Sequence, residues 1–134
     1  MIQLLVNQCA VVICAGGGGI PVVRDADGHR RGVEAVIDKD RGAALLARDL
    51  GVDALMILTD IGGVEIGFGT PEAHPIGHTT VAELRRQSFP AGSMRPKVDA
   101  ACGFVAATGK LAMIGNLANA TDLLRVNRGP MLTS

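Results

Sequence analysis

Tryptophan and tyrosine are absent from this chain, and phenylalanine occurs only three times. A core must therefore be assembled from Leu, Ile, Val, Ala and Met, as is common in sheets covered by helices on both faces. The same shortage counts against single-stranded nucleic-acid binding, which stacks bases on aromatic rings. An excess of either charge is also missing, since 13 Lys plus Arg balance 13 Asp plus Glu. That balance excludes the broad basic field needed for nucleic acid or a membrane surface. No apolar run is long enough to span a bilayer, and residues 1–15 lack a basic leader. The expectation is a cytoplasmic protein with no nucleic-acid or membrane partner.

Cysteine is scarce and odd in number. Cys9, Cys14 and Cys102 lie in apolar surroundings without metal-ligand spacing, and they read as buried structural thiols. His29, His74 and His78 stand apart in polar segments and are expected in solvent. What is present is 48% hydrophobic residues and 18 glycines in 134 positions, enough for the core of a single domain, 1–134.

The apolar run Ala10–Ala15 ends in Gly16-Gly17-Gly18-Gly19, the pattern of a strand buried on both faces. A short run at Ile20–Val23 follows, and Arg24–Arg31 reads as an exposed polar loop. Asp38-Lys39-Asp40 precedes a helix over about 41–50, with Ala44, Leu45, Leu46 and Leu50 on its apolar side and Gly51 as its stop. Residues 53–59 read as a second buried strand, 64–68 as a short strand and 69–78 as loop. Thr79 or Thr80 caps a helix through about Gln87, and Ser93 caps a longer one over about 94–108. In the latter, Val98, Ala101, Cys102 and Val105 follow the i, i+3, i+4, i+7 spacing, and Gly109 closes it. A strand at Leu111–Ile114 and a helix over 116–124 complete the order. Alternating strands and helices predict a three-layer α/β/α sandwich with a mainly parallel sheet.

Four segments can carry chemistry. Gly16, Gly17, Gly18 and Gly19 let backbone amides approach an anion, although a tight turn would also use glycine. The loop is neither a Walker A motif nor a dinucleotide fingerprint, because Gly-Lys-Ser/Thr is missing and Pro21 takes the third glycine position. Asp38-Lys39-Asp40 puts a lysine between carboxylates at a helix start. It suits charge developing on a transferred phosphoryl group, or else is a cap beside a solvated lysine. Lys97 follows Gly92-Ser93-Met94-Arg95-Pro96 within a first helical turn, where a cation is unfavourable unless an anion sits nearby. Thr59-Asp60 ends a strand and either meets a nucleotide or simply terminates that strand.

Together these segments resemble the carbamate kinases of the amino acid kinase family. The resemblance is carried by Gly16–Val22, Gly32–Asp40, Leu58-Thr59-Asp60, Phe68-Gly69-Thr70-Pro71-Glu72, and Phe89–Met94 with Pro96-Lys97. It implies reversible phosphoryl transfer from carbamoyl phosphate to ADP, giving carbamate and ATP, with Mg²⁺, commonly in arginine breakdown. It further implies that Lys39 and Lys97 neutralise the moving phosphoryl group, that Asp40 holds these lysines, and that Gly16–Gly19 line the substrate side. Thr59, Asp60, Phe68, Gly69, Pro71 and Met94 would border the nucleotide, with no side chain assigned to a metal. The chain matches only the C-terminal, nucleotide-binding half of that family. The family's first glycine loop, another active-site lysine and much of its homodimer interface belong to the other half, so the isolated chain is expected to be incomplete as a catalyst. Ile61-Gly62-Gly63 replaces the family's Val-Asp-Gly or Val-Asp-Ala, and Glu65 stands where an aromatic is typical. A non-catalytic nucleotide-binding module and a related kinase acting on a carboxylate are the alternatives.

Overall fold

Helix caps and strand pairing divide the chain sharply. The computed structural model describes residues 1–60, 62–89, 92, 94–125 and 131–133. Ser93, expected as a helix cap, lies outside the described residues, as do Ile61, Pro90 and Ala91. The elements in order are α1 (Ile2–Asn7), β1 (Val22–Arg24), β2 (Arg30–Gly32), α2 (Lys39–Leu50), β3 (Ala54–Thr59), β4 (Glu65–Ile66), β5 (His74–Pro75), β6 (Thr79–Thr80), α3 (Val81–Arg85), α4 (Met94–Thr108), β7 (Leu111–Asn116), a 3₁₀ turn (Leu117–Asn119), α5 (Ala120–Leu124) and β8 (Met131–Thr133).

Helix α2 starts two residues before its expected position because Asp38, rather than Asp40, is the cap. The Asp38 carboxylate accepts from the Asp40 and Arg41 amides at 2.9 and 3.1 Å, satisfying donors that a helix start leaves free. Gly51 ends the helix in the left-handed conformation. The buried face of α2 is Asp40, Ala44 and Ala47, while Leu45, expected inside, is half exposed. Small residues on that face let α2 lie close against α4, the helix with the largest share of the core. In α4 the four expected positions Val98, Ala101, Cys102 and Val105 are buried, joined by Ala100 and Phe104.

The main sheet has the order β3-β7-β8-β6. Strand β3 runs parallel to β7, and β6 runs parallel to β8, while β7 and β8 are antiparallel. The sheet is thus mainly parallel and mixed at the β7–β8 join. Period-2 alternation sends Ala112 and Ile114 of β7 into one core with Leu55, Ile57, Val98 and Val105. Gly115 faces the other way, where a Cβ would come within 2.6 Å of the Leu123 side chain of α5. Helices α2, α3 and α4 therefore cover one face, and α5 lies over the other at β7, the layered α/β/α arrangement.

The segment Ala10–Ala15 is not the expected buried strand. It runs irregularly, with Val11 96% and Ile13 98% exposed. Apolar composition makes a strand only where a neighbour supplies ladder hydrogen bonds and cover, and no described strand pairs with it. Cys9 and Cys14, expected buried, are exposed for the same reason, whereas Cys102 is buried. Residues 25–29 are the exposed polar turn expected there, while Arg24, Arg30 and Arg31 belong to the strands it joins, β1 pairing antiparallel with β2. Strand β5 interrupts the expected loop at 69–78, and the helix expected over 116–124 opens with a 3₁₀ turn.

Two measurements check this packing. Burial pushes the Cys102 thiol pKa up, so a thiol reagent at pH 8 should titrate Cys9 and Cys14 in the native chain and Cys102 only after denaturation. The second concerns the capping box of α3. The Glu83 carboxylate accepts from the Thr80 amide at 2.9 Å and from the Thr79 and Thr80 hydroxyls, which lowers its pKa from 4.5. A lowered folded-state pKa contributes stability above 4.5 that is lost as pH falls through the folded value. Thermal melts from pH 7 to pH 3 should therefore show a smaller acid loss for Glu83→Gln than for the unaltered chain.

Candidate active site

Connectivity alone brings two helix N-termini to one edge of the sheet. Helix α2 ends just before β3 begins, and α4 ends just before β7 begins. Each helix therefore runs back along its strand and starts at that strand's carboxyl end. Because β3 and β7 are parallel and in register to Thr59↔Asn116, the carboxyl ends and the two helix N-termini converge. This edge is where open α/β sheets bind ligands, and helix N-termini favour anions there.

A cavity of about 550 Å³ occupies this edge. Asp38, Lys39 and Asp40 of the α2 start, and Met94, Pro96 and Lys97 of the α4 start, line one side. Leu58, Thr59 and Asp60 from the end of β3, with Phe68 and Gly92, line the rest. One part of the wall is charged, and Leu58, Phe68, Met94 and Pro96 make an apolar part.

The two helix starts are joined by Lys97, whose Nζ donates to Asp40 Oδ2 at 2.9 Å, with only 13% and 12% of the two side chains exposed. Asp40 suits the positive end of the α2 dipole, while Lys97 opposes that of α4. The carboxylate across the gap supplies the anion that makes this lysine position tolerable. Asp40 is also the one buried charged residue among those described. Lys39 lines the same cavity but is exposed and makes no ion pair among the described residues. Asp40 thus holds Lys97 alone, where both lysines were expected to be held. Outside the cavity, Asp99 meets Arg95 at 3.0 Å and Arg41 at 3.9 Å, a solvent-exposed second link between α2 and α4.

The glycine loop packs on the start of α2. Gly18 has φ of 142°, and a Cβ there would lie 2.6 Å from the Ile37 carbonyl oxygen. A Cβ on Gly42 of α2 would lie 3.4 Å from the Gly19 amide nitrogen. Only glycine meets both the backbone angle and the contact at Gly18. The loop sits beside the cavity, and Gly16–Gly19 are not among its lining residues.

At the end of β3 the Thr59 hydroxyl donates to Asp60 Oδ1 at 3.2 Å, and Asn116 Nδ2 donates to the Asp60 carbonyl at 3.3 Å. Phe68 borders the cavity, whereas Gly69 and Pro71 do not line it. They belong to the exposed turn in which Thr70 N–H meets the Gly67 carbonyl at 2.9 Å. Asp38 was foreseeable from its place before a helix. Leu58 and Pro96 lay inside the quoted segments without being singled out, and Asn116 carried no local signal.

Among the histidines, His29 is not isolated, since its Nδ1 lies 3.7 Å from Asp25 on the exposed hairpin, with Asp27 beside them. His74 Nδ1 lies 2.9 Å from the Glu72 carbonyl, and His78 is exposed.

A model of the amino acid kinase family matches residues 1–116. The carbamate kinase of Rhizobium meliloti (strain 1021) is 53% identical over 135 residues, covering 99% of this chain and 42% of the relative. The Escherichia coli (strain K12) carbamate kinase is 44% identical, covering 98% and 43%. The chain thus spans less than half the length of the curated relatives it matches. Among solved structures, carbamate kinase from Giardia lamblia bound to AMP-PNP superposes with a TM-score of 0.90 at 39% identity, covering 99% of this chain and 48% of that one.

The ion pair can be tested apart from any activity. Asp40→Ala and Lys97→Ala should each lower the free energy of urea unfolding by about 3 kcal/mol, because each strands a partner charge with little water. The double variant should fall short of the sum by about 1–3 kcal/mol, whereas additivity within about 0.5 kcal/mol would mean that the two side chains do not couple.

Proposed function

This chain belongs to the amino acid kinase family, and on that premise we propose that it carries the nucleotide side of a carbamate-kinase-type phosphotransferase. The reaction moves a phosphoryl group reversibly from carbamoyl phosphate to ADP. The bond between phosphorus and the carbamoyl oxygen breaks, a bond to the terminal ADP oxygen forms, and carbamate and ATP result. The observation that carries this reading is the Asp40–Lys97 pair between two helix N-termini, facing the same cavity as the uncommitted Lys39.

Phosphoryl transfer asks a protein for positioning and charge rather than for a covalent nucleophile. Lys97, fixed by Asp40, and Lys39 would stand against the negative oxygens of the moving group. The α2 and α4 dipoles add fixed positive ends, although Asp38 already engages the Asp40 and Arg41 amides and Pro96 of α4 has no N–H to give. Gly16–Gly19, seated on the α2 start, would face the substrate side. The apolar wall of Phe68 and Met94, with Thr59 and Asp60, would border the nucleotide, and the turn at Gly69 and Pro71 would flank it.

Mg²⁺ would arrive on the nucleotide phosphates and neutralise part of their charge. The donors present suit such an ion: Asp38, Asp40 and Asp60 line the cavity, and each keeps one carboxylate oxygen without a hydrogen bond among the described residues. We place the reaction in cytoplasmic arginine breakdown and the complete enzyme as a homodimer, both supported by the likeness to carbamate kinases. No helix among the described residues is long and apolar enough to cross a membrane.

The test separates binding from turnover. Calorimetry on the 134-residue chain should detect ADP, and Lys97→Ala should weaken ADP at least tenfold, since charge-assisted contacts to phosphate are the strong ones. ATP formation from carbamoyl phosphate and ADP should be slower than in a full-length relative by about 10²–10³-fold, the cost of losing one preorganised anion cradle. Absence of ADP binding at millimolar concentration overturns the reading. ADP binding with no ATP formed at all would favour a nucleotide-binding module instead.

A further inference from the structure

We propose that Asn116 is a positioning residue for the Thr59–Asp60 wall of the cavity, acting through a hydrogen bond from its carboxamide to the Asp60 carbonyl. Asn116 is the last residue of β7 and the register partner of Thr59, the last residue of β3. The parallel ladder stops at this pair, so the Asp60 peptide has no further rung on β7. The Asn116 side chain supplies one: Nδ2 donates to the Asp60 carbonyl at 3.3 Å.

The orientation of this amide follows from its partners. Oδ1 accepts from the Ala118 N–H at 2.7 Å. An N–H can only donate and a carbonyl can only accept, so a flipped amide would satisfy neither contact. The Asp60 carboxylate in turn accepts from the Thr59 hydroxyl at 3.2 Å. A chain of three contacts therefore runs from the 3₁₀ turn after β7 to the lining of the cavity. These contacts are neutral donors meeting a carbonyl or a carboxylate, and no ion pair among the described residues holds Thr59 or Asp60. The link from this clamp to nucleotide affinity rests on the phosphotransferase reading; the clamp itself does not.

Asn116→Asp and Asn116→Ala separate clamp from cap. The aspartate keeps an oxygen for the Ala118 N–H but sets a second acceptor against the Asp60 carbonyl; the alanine loses both contacts. In hydrogen exchange on the 134-residue chain, Asn116→Asp should speed exchange at the end of β3 by about three- to tenfold, the range of one net hydrogen bond. Its ADP Kd should rise by a similar factor while its Tm stays near that of the unaltered chain, since the cap is retained. Asn116→Ala should show the same exchange and a lower Tm. Unaltered exchange at the end of β3 in Asn116→Asp overturns the clamp. Faster exchange with an unaltered ADP Kd overturns its role in the site. If the unaltered chain does not bind ADP, the phosphotransferase reading fails, and the exchange result still decides the clamp.

Discussion

The structure turns on one partly desolvated ion pair between residues 57 apart in sequence, Asp40 on α2 and Lys97 on α4. Two helices that begin side by side present like dipole ends to one another, an arrangement that gains from an anion placed between them. Asp40 is that anion. By meeting Lys97 it also makes tolerable a lysine that its own helix start disfavours. A pair of apolar residues could fill the same space, since a buried ion pair seldom adds net stability over well-packed hydrophobes. A charged pair in this place is better understood by what its free edge faces, the cavity at the carboxyl ends of β3 and β7.

Other features of the site follow from where this pair puts the helix starts. The small buried face of α2, Ala44 and Ala47, permits its close approach to α4. The glycine loop has room to lie on residues 37–42 because Gly18, Gly19 and Gly42 present no side chains to one another. The charged part of the cavity wall is thus set by helix packing, and the Thr59–Asp60 part by the end of β3, which parallel pairing brings level with that of β7. The two sides are held by different forces: a partly buried ion pair on one, and neutral hydrogen bonds through Asn116 on the other.

Much of the fold was legible locally. Helix α4 occupies the expected 94–108, because apolar residues at helical spacing and a terminal glycine speak for themselves. The Thr80 cap and the stops at Gly51 and Gly109 were similarly local. The failures were of another kind. Ala10–Ala15 has the composition of a buried strand, yet Val11 and Ile13 are almost fully exposed, since a strand is a property of a pair of segments. Cys9 and Cys14 were misplaced with it. Which aspartate of Asp38-Lys39-Asp40 caps α2 was also not local: Asp38 does, and the Asp40 carboxylate meets Lys97 on another helix.

Residue types and spacing by themselves determined the α/β class and the helices α2 and α4, and they singled out Lys39, Asp40, Lys97 and the glycines as candidates. Those are decided by hydrogen bonding and burial within a turn or two of chain, or by motifs contiguous in sequence. Tertiary structure decided that Asp40 holds Lys97 rather than Lys39, that Gly69 and Pro71 stand off the cavity, and that Asn116 braces Asp60. Each of these depends on distances between segments more than fifty residues apart or on how a turn is carried by its neighbours. Such distances arise only when the sheet has paired and the helices have packed upon it.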